Sequence, residues 1–139
     1  EAIAFLSLEA LRAAYVDELS GGQRQMAFLA MTIAQQTDIL LLDEPLNNLD
    51  MKHAVQIMRA LRRLCDEQGR TVILVIHDIN FAANYSDHIV AMQGGTVRFA
   101  GPAHEVVTEE RLRALYDIDF HIVRNERGCV CNYFTPTGA

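Results

Sequence analysis

Short apolar runs alternate along the chain with longer amphipathic segments, and this alternation predicts an α/β fold. Ile39 to Asp43 and Thr71 to Ile76 are continuous apolar runs, which predict two buried strands of a parallel sheet. Between them, Asp50 to Gln68 has apolar positions at helical spacing. Asp50 is placed to cap this helix and Gly69 to end it. We therefore predict a strand–helix–strand unit with a right-handed crossover.

The flanking segments predict shorter elements. The helix predicted over Gly21 to Gln36 is apolar on most sides, which is typical of a buried helix. Gln93-Gly94-Gly95 lies between two short apolar segments, His88 to Met92 and Thr96 to Ala100, and predicts an antiparallel hairpin. Weak alternation from Phe120 to Phe134 predicts a second hairpin at the carboxyl end. The other predicted helices are two short pieces within residues 1–15, Ile79 to Tyr85, Pro102 to Glu105 and Glu109 to Tyr116.

The composition excludes several classes of protein. The 139 residues correspond to about one domain, and half of them are hydrophobic, which suffices for a core. No run approaches the ~20 apolar residues that span a bilayer, and no secretory leader is recognisable. The formal charge of −6 disfavours a broad surface for nucleic acid or anionic membrane.

The three cysteines do not form a disulfide framework, which favours a reducing cytoplasm. Cys129 and Cys131 are two residues apart and would share one face of a strand. A metal or redox pair is the alternative to a structural role, but no second Cys or His pair has ligand spacing.

The segment Leu19 to Gln23 reads Leu-Ser-Gly-Gly-Gln and predicts an anion site at the start of a helix. Ser20 with Gln23 three residues later forms a capping box. The free N–H groups and the positive dipole end of the helix attract phosphate, and two glycines allow its close approach. The alternative is an ordinary capped helix.

Two adjacent carboxylates, Asp43 and Glu44, end the first predicted strand. Ligands of open α/β sheets bind at the carboxyl ends of strands. Asp43 is therefore placed near a bound Mg²⁺, and Glu44 is placed to orient or deprotonate an attacking water. An acidic pair that merely ends a strand at the surface is the alternative, which Pro45 and the following Asn-Asn-Leu-Asp turn disfavour.

His77 ends the second predicted strand as Asp43 ends the first. Parallel neighbouring strands would bring these two residues together, and an imidazole there can donate a hydrogen bond to a terminal phosphate. The remaining histidines lack such a context and are interpreted as surface or structural residues: His53, His88, His104 and His121.

In this order and spacing, Leu19 to Gln23 and Ile39 to Pro45 resemble the signature motif and the Walker B motif of an ATP-binding cassette (ABC) ATPase, the ATP-binding subunit of an ABC transporter. The resemblance extends from Leu19 to about His77. Other segments are similar to ATPases of iron–siderophore and related metal-chelate importers: Ala27-Phe28-Leu29-Ala30-Met31, His77-Asp78-Ile79-Asn80 and Ala100-Gly101-Pro102.

The resemblance implies a role for each matched residue. Asp43 would bind Mg²⁺ through water, Glu44 would be the catalytic glutamate and His77 the switch histidine. The signature residues would complete the nucleotide site of a partner subunit, with Ser20 and Gly22 at the γ-phosphate; they are Leu19, Ser20, Gly21, Gly22 and Gln23. The D-loop residues would contact the opposite subunit, and they are Asn47, Asn48, Leu49 and Asp50.

The resemblance further implies ATP and Mg²⁺ as cofactors and a head-to-tail dimer with a second ATPase subunit. Transmembrane permease subunits would hold that dimer at the cytoplasmic face of the membrane. The sequence departs from the family pattern, since the aromatic that stacks on adenine and the Q-loop that couples to the membrane subunit are not present. No G-x-x-x-x-G-K-[ST] phosphate loop (Walker A) occurs in the sequence, and Leu46 stands where Thr or Ser is common.

We therefore expect the carboxyl-terminal part of a P-loop (RecA-like) ABC ATPase, inactive as this piece alone. Residues 1–18 would end the helical subdomain, residues 19–119 would belong to the core, and residues 120–139 would form an extension. The alternatives are a soluble ABC ATPase outside transport and a non-catalytic module that only binds a partner. Intact Glu44 and His77 argue against the second of these.

Overall fold

The computed structural model describes residues 2–134, and the chain divides into two compact units, residues 1–76 and 77–139. The first unit contains α1 (Ala2–Phe5), 3₁₀ turns at Glu9–Leu11 and Val16–Glu18, α2 (Gly21–Ala34), β1 (Ile39–Asp43), α3 (Met51–Gln68) and β2 (Thr71–Val75). The second contains α4 (Ile79–Tyr85), β3 (His88–Gln93), β4 (Thr96–Pro102), α5 (Ala103–Val106), α6 (Glu109–Tyr116), β5 (His121–Asn125) and β6 (Gly128–Asn132).

The predicted strand–helix–strand unit is present in the first unit. β1 and β2 are parallel, with Ile39 opposite Thr71 and Asp43 opposite Val75. α3 begins after its cap Asp50 and ends at Gly69, whose φ of 65° is the left-handed conformation that glycine adopts most readily. α3 packs against β2 and covers one side of the sheet.

The prediction that both strands are buried is wrong for one of their two faces. Leu40 is 1 % exposed, whereas its neighbour Leu41 is 72 % exposed and Ile73 is 56 % exposed. Successive side chains of a strand point to opposite faces, so the faces of one strand can differ in burial. Within the described part of the first unit, the exposed apolar side chains have no layer of structure over them.

The expectation of a wholly buried α2 is wrong in the same way. Its core side is formed by Met26, Leu29, Ala30 and Ile33, all buried. Phe28 and Met31 are 49 % and 62 % exposed. A single exposed apolar side chain is common on a protein surface. Several of them on both α2 and the sheet indicate a surface that further structure normally covers.

In its described residues, 77–134, the second unit consists of two antiparallel hairpins and three short helices. Gly94 and Gly95 connect β3 to β4 with φ values of 58° and 76°, as the tight turn between twisted strands requires. β5 and β6 form the predicted carboxyl-terminal hairpin, with Val123 opposite Val130. The core of this unit contains Val107, Leu112, Phe120, Cys129 and Cys131.

Two asparagines connect α4 to β6 through paired hydrogen bonds. The side-chain amide of Asn80 donates to the Cys131 carbonyl at 3.3 Å, and its oxygen accepts the Cys131 N–H at 2.7 Å. Asn84 makes the same pair with Cys129 at 2.7 and 2.8 Å. Each amide therefore satisfies the backbone of β6 as a neighbouring strand would. Among residues 2–134, no helix is both long and apolar enough to cross a membrane.

Candidate functional site

The signature segment forms the amino-terminal turn of α2, as predicted. The Gln23 N–H donates to Ser20 Oγ at 3.3 Å, and the Gln23 side-chain oxygen accepts the Ser20 N–H at 2.9 Å. This reciprocal capping box fixes where the helix begins. Ser20 and Gly21 are exposed, and Leu19 is buried beneath them. The positive end of a 14-residue helix thus lies at the surface and is suited to bind an anion.

Asp43 and Glu44 lie at the carboxyl end of β1, as predicted. Asp43 is exposed and Glu44 is half-buried, while Pro45 after them is buried. Glu44 has a φ of 47°, a left-handed conformation that is uncommon for residues other than glycine and asparagine. Such a conformation persists only where surrounding contacts hold it, and it is frequent at functional sites.

Asn47 holds Glu44 in this conformation by two bonds. The Asn47 N–H donates to the Glu44 carbonyl at 3.1 Å, and the Asn47 side-chain amide donates to the Glu44 carboxylate. The sequence placed both residues in neighbouring motifs but did not indicate this contact. A carboxylate that is held by an amide donor has a defined orientation, which a general base requires.

The turn that follows is a compact structure that ends at Asp50. Asn48 has a φ of 60°, and the Leu49 N–H donates to the Leu46 carbonyl at 3.3 Å. Asp50 Oδ1 accepts the backbone N–H of His53 at 2.8 Å and lies 2.8 Å from His53 Nδ1. These hydrogen bonds, from the backbone first and the ring second, lower the pKa of the Asp50 carboxyl, so this residue is ionised at neutral pH.

His53 also lies against the signature. A Cβ added to Gly22 would be 2.6 Å from the nearest atom of the His53 ring. The structure therefore brings the signature and the turn after the Asp-Glu pair together through a histidine that the sequence analysis interpreted as a surface or structural residue. A side chain on α3 that meets α2 leaves no periodic signal, so only the tertiary structure could identify it.

His77 belongs to the second unit, whereas Asp43 and Glu44 lie in the first. His77 is exposed, and Asp78 after it caps α4 by accepting the N–H groups of Asn80 at 2.8 Å and Phe81 at 3.0 Å. A common site of His77 with the two carboxylates stays a prediction.

The arrangement of carboxylates fits a magnesium ion that accompanies a nucleotide. Within residues 2–134, no group of three or more His, Cys, Asp and Glu side chains could hold a metal. Mg²⁺ commonly takes one or two carboxylates, and water and phosphate oxygens complete its six ligands. The single exposed carboxylate of Asp43 at a strand end is therefore suited to this mode of binding, and not to a metal cage made of protein alone.

The cysteine pair has the properties of core residues. Cys129 and Cys131 are 6 % and 2 % exposed. Burial first, and the neighbouring Cys129 second, raise the pKa of the Cys131 thiol to about 12. A thiol that stays protonated is a poor nucleophile and a poor metal ligand, so the structural interpretation of this pair is favoured.

The strand–helix–strand unit, the capped signature turn and the Asp-Glu strand end match the arrangement of an ABC transporter cassette, which has the P-loop NTPase fold. The family model described as "ABC transporter" matches residues 1–47, which include both motifs. In fold, the chain resembles a solved metal-chelate type ABC transporter in an inward-facing conformation, with a TM-score of 0.84 and 26 % identity over 95 % of this chain and 55 % of that one.

Two curated relatives agree with this class. The petrobactin import ATP-binding protein YclP of Bacillus subtilis (strain 168) is 48 % identical over 135 residues, 97 % of this chain and 54 % of the relative. The iron(3+)-hydroxamate import ATP-binding protein FhuC of the same organism is 47 % identical over 112 residues, 81 % of this chain and 42 % of the relative. The chain belongs to the family of ABC transporter ATP-binding proteins. It spans about half the length of the curated relatives it matches.

Proposed function

We propose that this chain is part of the ATP-hydrolysing subunit of an ABC importer that takes up iron–siderophore complexes. The observation that carries the proposal is the combination, within one unit, of the capped signature turn at Ser20 and the Asp43-Glu44 strand end. The names of the two relatives, one for petrobactin import and one for iron(3+)-hydroxamate import, support the class of solute.

In this proposal the strand end performs the chemistry of the chain's own nucleotide site. Asp43 holds Mg²⁺ through water, and the ion, when bound, neutralises charge on the transferred phosphoryl group. Glu44 orients and deprotonates the attacking water, and its fixed position beside Asn47 supports that role. His77 donates a hydrogen bond to the terminal phosphate.

The signature serves a different site in the proposal, that of a second ATPase subunit arranged head to tail. Leu19 to Gln23 present the amino-terminal end of α2 to the partner's ATP, while Asn47 to Asp50 contact the partner as the D-loop. Transmembrane permease subunits bind this dimer at the cytoplasmic face of the membrane. Because no phosphate loop occurs in the 139 residues, we propose that hydrolysis requires a longer cassette.

The proposal is tested in a completed cassette, which we define as this chain joined to the part of the Bacillus subtilis petrobactin relative that the match leaves uncovered. Glu44→Gln is expected to lower kcat of ATP hydrolysis by at least about a hundredfold while ATP binding is retained. Glu110→Gln, an exposed glutamate on α6, is the matched control and should change kcat little.

Two results would contradict the proposal. One is full activity of the Glu44→Gln cassette. The other is Glu44-dependent ATP hydrolysis by this chain without any added segment, since the proposal requires a phosphate loop. The solute class is tested separately, by uptake of radioactive iron as ferric siderophore in a Bacillus subtilis strain that lacks the petrobactin relative and expresses the completed cassette. Failure to restore uptake, with ATP hydrolysis intact, would reject the solute class alone.

A further inference from the structure

His53 lies between the two segments that the proposed function assigns to the dimer interface, the signature (Leu19 to Gln23) and the D-loop (Asn47 to Asp50). We propose that His53 is a positioning residue that holds these segments in one fixed arrangement, by packing its ring against Gly22 and donating a hydrogen bond to Asp50. The inference rests on the proposed function, because an ATP site shared between subunits gives both segments a common task.

The bond to Asp50 fixes the position and the tautomer of the imidazole. Nδ1 of His53 lies 2.8 Å from Oδ1 of Asp50, and the same oxygen accepts the backbone N–H of His53 at 2.8 Å. An ionised carboxylate only accepts hydrogen bonds, so Nδ1 carries the proton. Since one oxygen holds both the backbone and the ring of His53, the ring is turned back towards the amino-terminal end of α3.

The ring occupies the space that a side chain at residue 22 would need. A Cβ on Gly22 would lie 2.6 Å from Cγ, 2.7 Å from Cδ2 and 2.9 Å from Nδ1 of His53. A Cβ on Gly21 would meet nothing within 4 Å. The second glycine of the signature is therefore the one that the contact with His53 requires.

The two contacts act together. A histidine ring at the end of an unrestrained side chain could rotate away from Gly22 at little cost. In this structure that rotation would break the hydrogen bond to Asp50. The His53 side chain is 26 % exposed, so the contact is largely closed to water. A shift of the D-loop is consequently transmitted to the first turn of α2, which in the proposed function faces the partner's phosphate.

A double-mutant cycle between residues 22 and 53 tests the contact in the completed cassette. Gly22→Ala is expected to lower the urea midpoint, and to lower it much less in the His53→Ala background, where the ring is absent. Gly21→Ala is the matched control and should have the same effect in both backgrounds.

Where Gly22→Ala alone does not fold, recovery of folded protein in the His53→Ala background is the expected result. Equal effects of Gly22→Ala in both backgrounds, or no recovery, would overturn the inference. The proposed function is unaffected by either result, because it is tested through Glu44.

The kinetics separate positioning from mere stability. His53→Ala is expected to lower kcat of ATP hydrolysis roughly tenfold, because the signature no longer meets the phosphate in one geometry. KM for ATP should change by less than about twofold, since the phosphate loop still holds the nucleotide. His53→Phe keeps a ring against Gly22 and should recover part of kcat.

Two kinetic outcomes contradict the proposal. One is an unchanged kcat in folded His53→Ala protein. The other is a loss of kcat that is fully explained by the fraction of protein that is unfolded. Glu44→Gln measured alongside keeps the two failures distinct, because an inference about His53 can be wrong while hydrolysis still depends on Glu44.

Discussion

The signature turn in the first unit and the junction of α4 with β6 in the second use the same kind of bond over very different distances along the chain. At the signature, Ser20 and Gln23 are three residues apart and satisfy each other's backbone N–H. At the junction, Asn84 bonds Cys129, 45 residues away, and Asn80 bonds Cys131, 51 residues away. The first structure forms within one turn of helix, and the second requires the unit to be folded.

This difference determines what each contact contributes. A local cap selects where a helix begins and makes its end available to a ligand, at a modest gain in stability. A long-range pair joins separate elements, and its loss leaves backbone groups of β6 without partners. The close fit of Gly128 illustrates the second case, since a Cβ there would lie 2.3 Å from the Asn84 side-chain oxygen. We therefore expect function to depend on the signature turn and stability to depend on the junction.

The junction should have its strongest effect on the rate at which the cysteines behind it are alkylated. With a pKa of about 12, Cys131 has roughly a thousandfold less thiolate at pH 8 than an ordinary thiol. Cys65 on α3 is only half-buried. Alkylation followed by mass spectrometry should therefore modify Cys65 well before Cys131, and equal rates would show that the junction opens readily.

The raised pKa of Cys131 also makes the free energy of unfolding depend on pH. Because folding raises the pKa of Cys131 from 9.0 to about 12, the unfolded chain ionises first as the pH rises. The stability that burial of the neutral thiol contributes is fully present below pH 9 and is lost as the pH rises towards 12. Urea unfolding of Cys131→Ser should show a weaker fall in stability over this range.

Loss of a long-range asparagine bond should lower the free energy of unfolding more than loss of a local one. Asn84→Ala removes the two hydrogen bonds to Cys129 and a local one to the Asn80 carbonyl, and should lower the free energy of unfolding by about 2 kcal/mol. Asn125→Ala is the matched control, because the Asn125 side chain accepts a local bond from the Arg127 N–H at 2.8 Å. Its cost should be about 0.5 kcal/mol. Similar costs for the two variants in urea unfolding would break the distinction between local and long-range bonds.

Loss of the signature cap should lower the stability less than loss of Asn84. Ser20→Ala should lower the free energy of unfolding by about 1 kcal/mol, because one helix N–H loses its acceptor. Thr108→Ala removes the comparable cap of α6, where Thr108 Oγ1 accepts the Arg111 N–H at 3.3 Å. Both caps should cost about the same in stability, but only Ser20→Ala should impair ATP hydrolysis by the completed cassette. Equal effects of the two variants on hydrolysis would contradict a functional signature.

The features that sequence predicted correctly are those that neighbouring residues determine. The bounds of β1, α4 and α6, the Ser20 cap and the turn at Gly94-Gly95 each follow from a short pattern of apolar, capping or turn residues. The motifs at Leu19 to Gln23 and at Asp43-Glu44 also lie where the sequence placed them, at a helix start and at a strand end.

The features that sequence missed depend on which segments meet. The contact of His53 with Gly22, the bonds from Asn80 and Asn84 to β6 and the exposed faces of β1 and α2 all arise between elements. Apolar periodicity tells which side of an element can be buried, but not what covers it. The bond from Asn47 to Glu44 was missed for a similar reason. It depends on the left-handed backbone conformation of Glu44, which no sequence motif indicates.

The oligomeric state of the completed cassette carrying Glu44→Gln, determined by sedimentation with ATP or ADP and Mg²⁺, shows directly whether the signature serves a partner's nucleotide. We assign the signature to the partner's nucleotide and the Asp43-Glu44 strand end to the chain's own. We therefore predict a dimer with ATP, a monomer with ADP, and loss of the ATP-dependent dimer when Ser20→Glu places a negative charge at the signature. A cassette that binds ATP but stays monomeric, or a dimer that Ser20→Glu leaves intact, would contradict it.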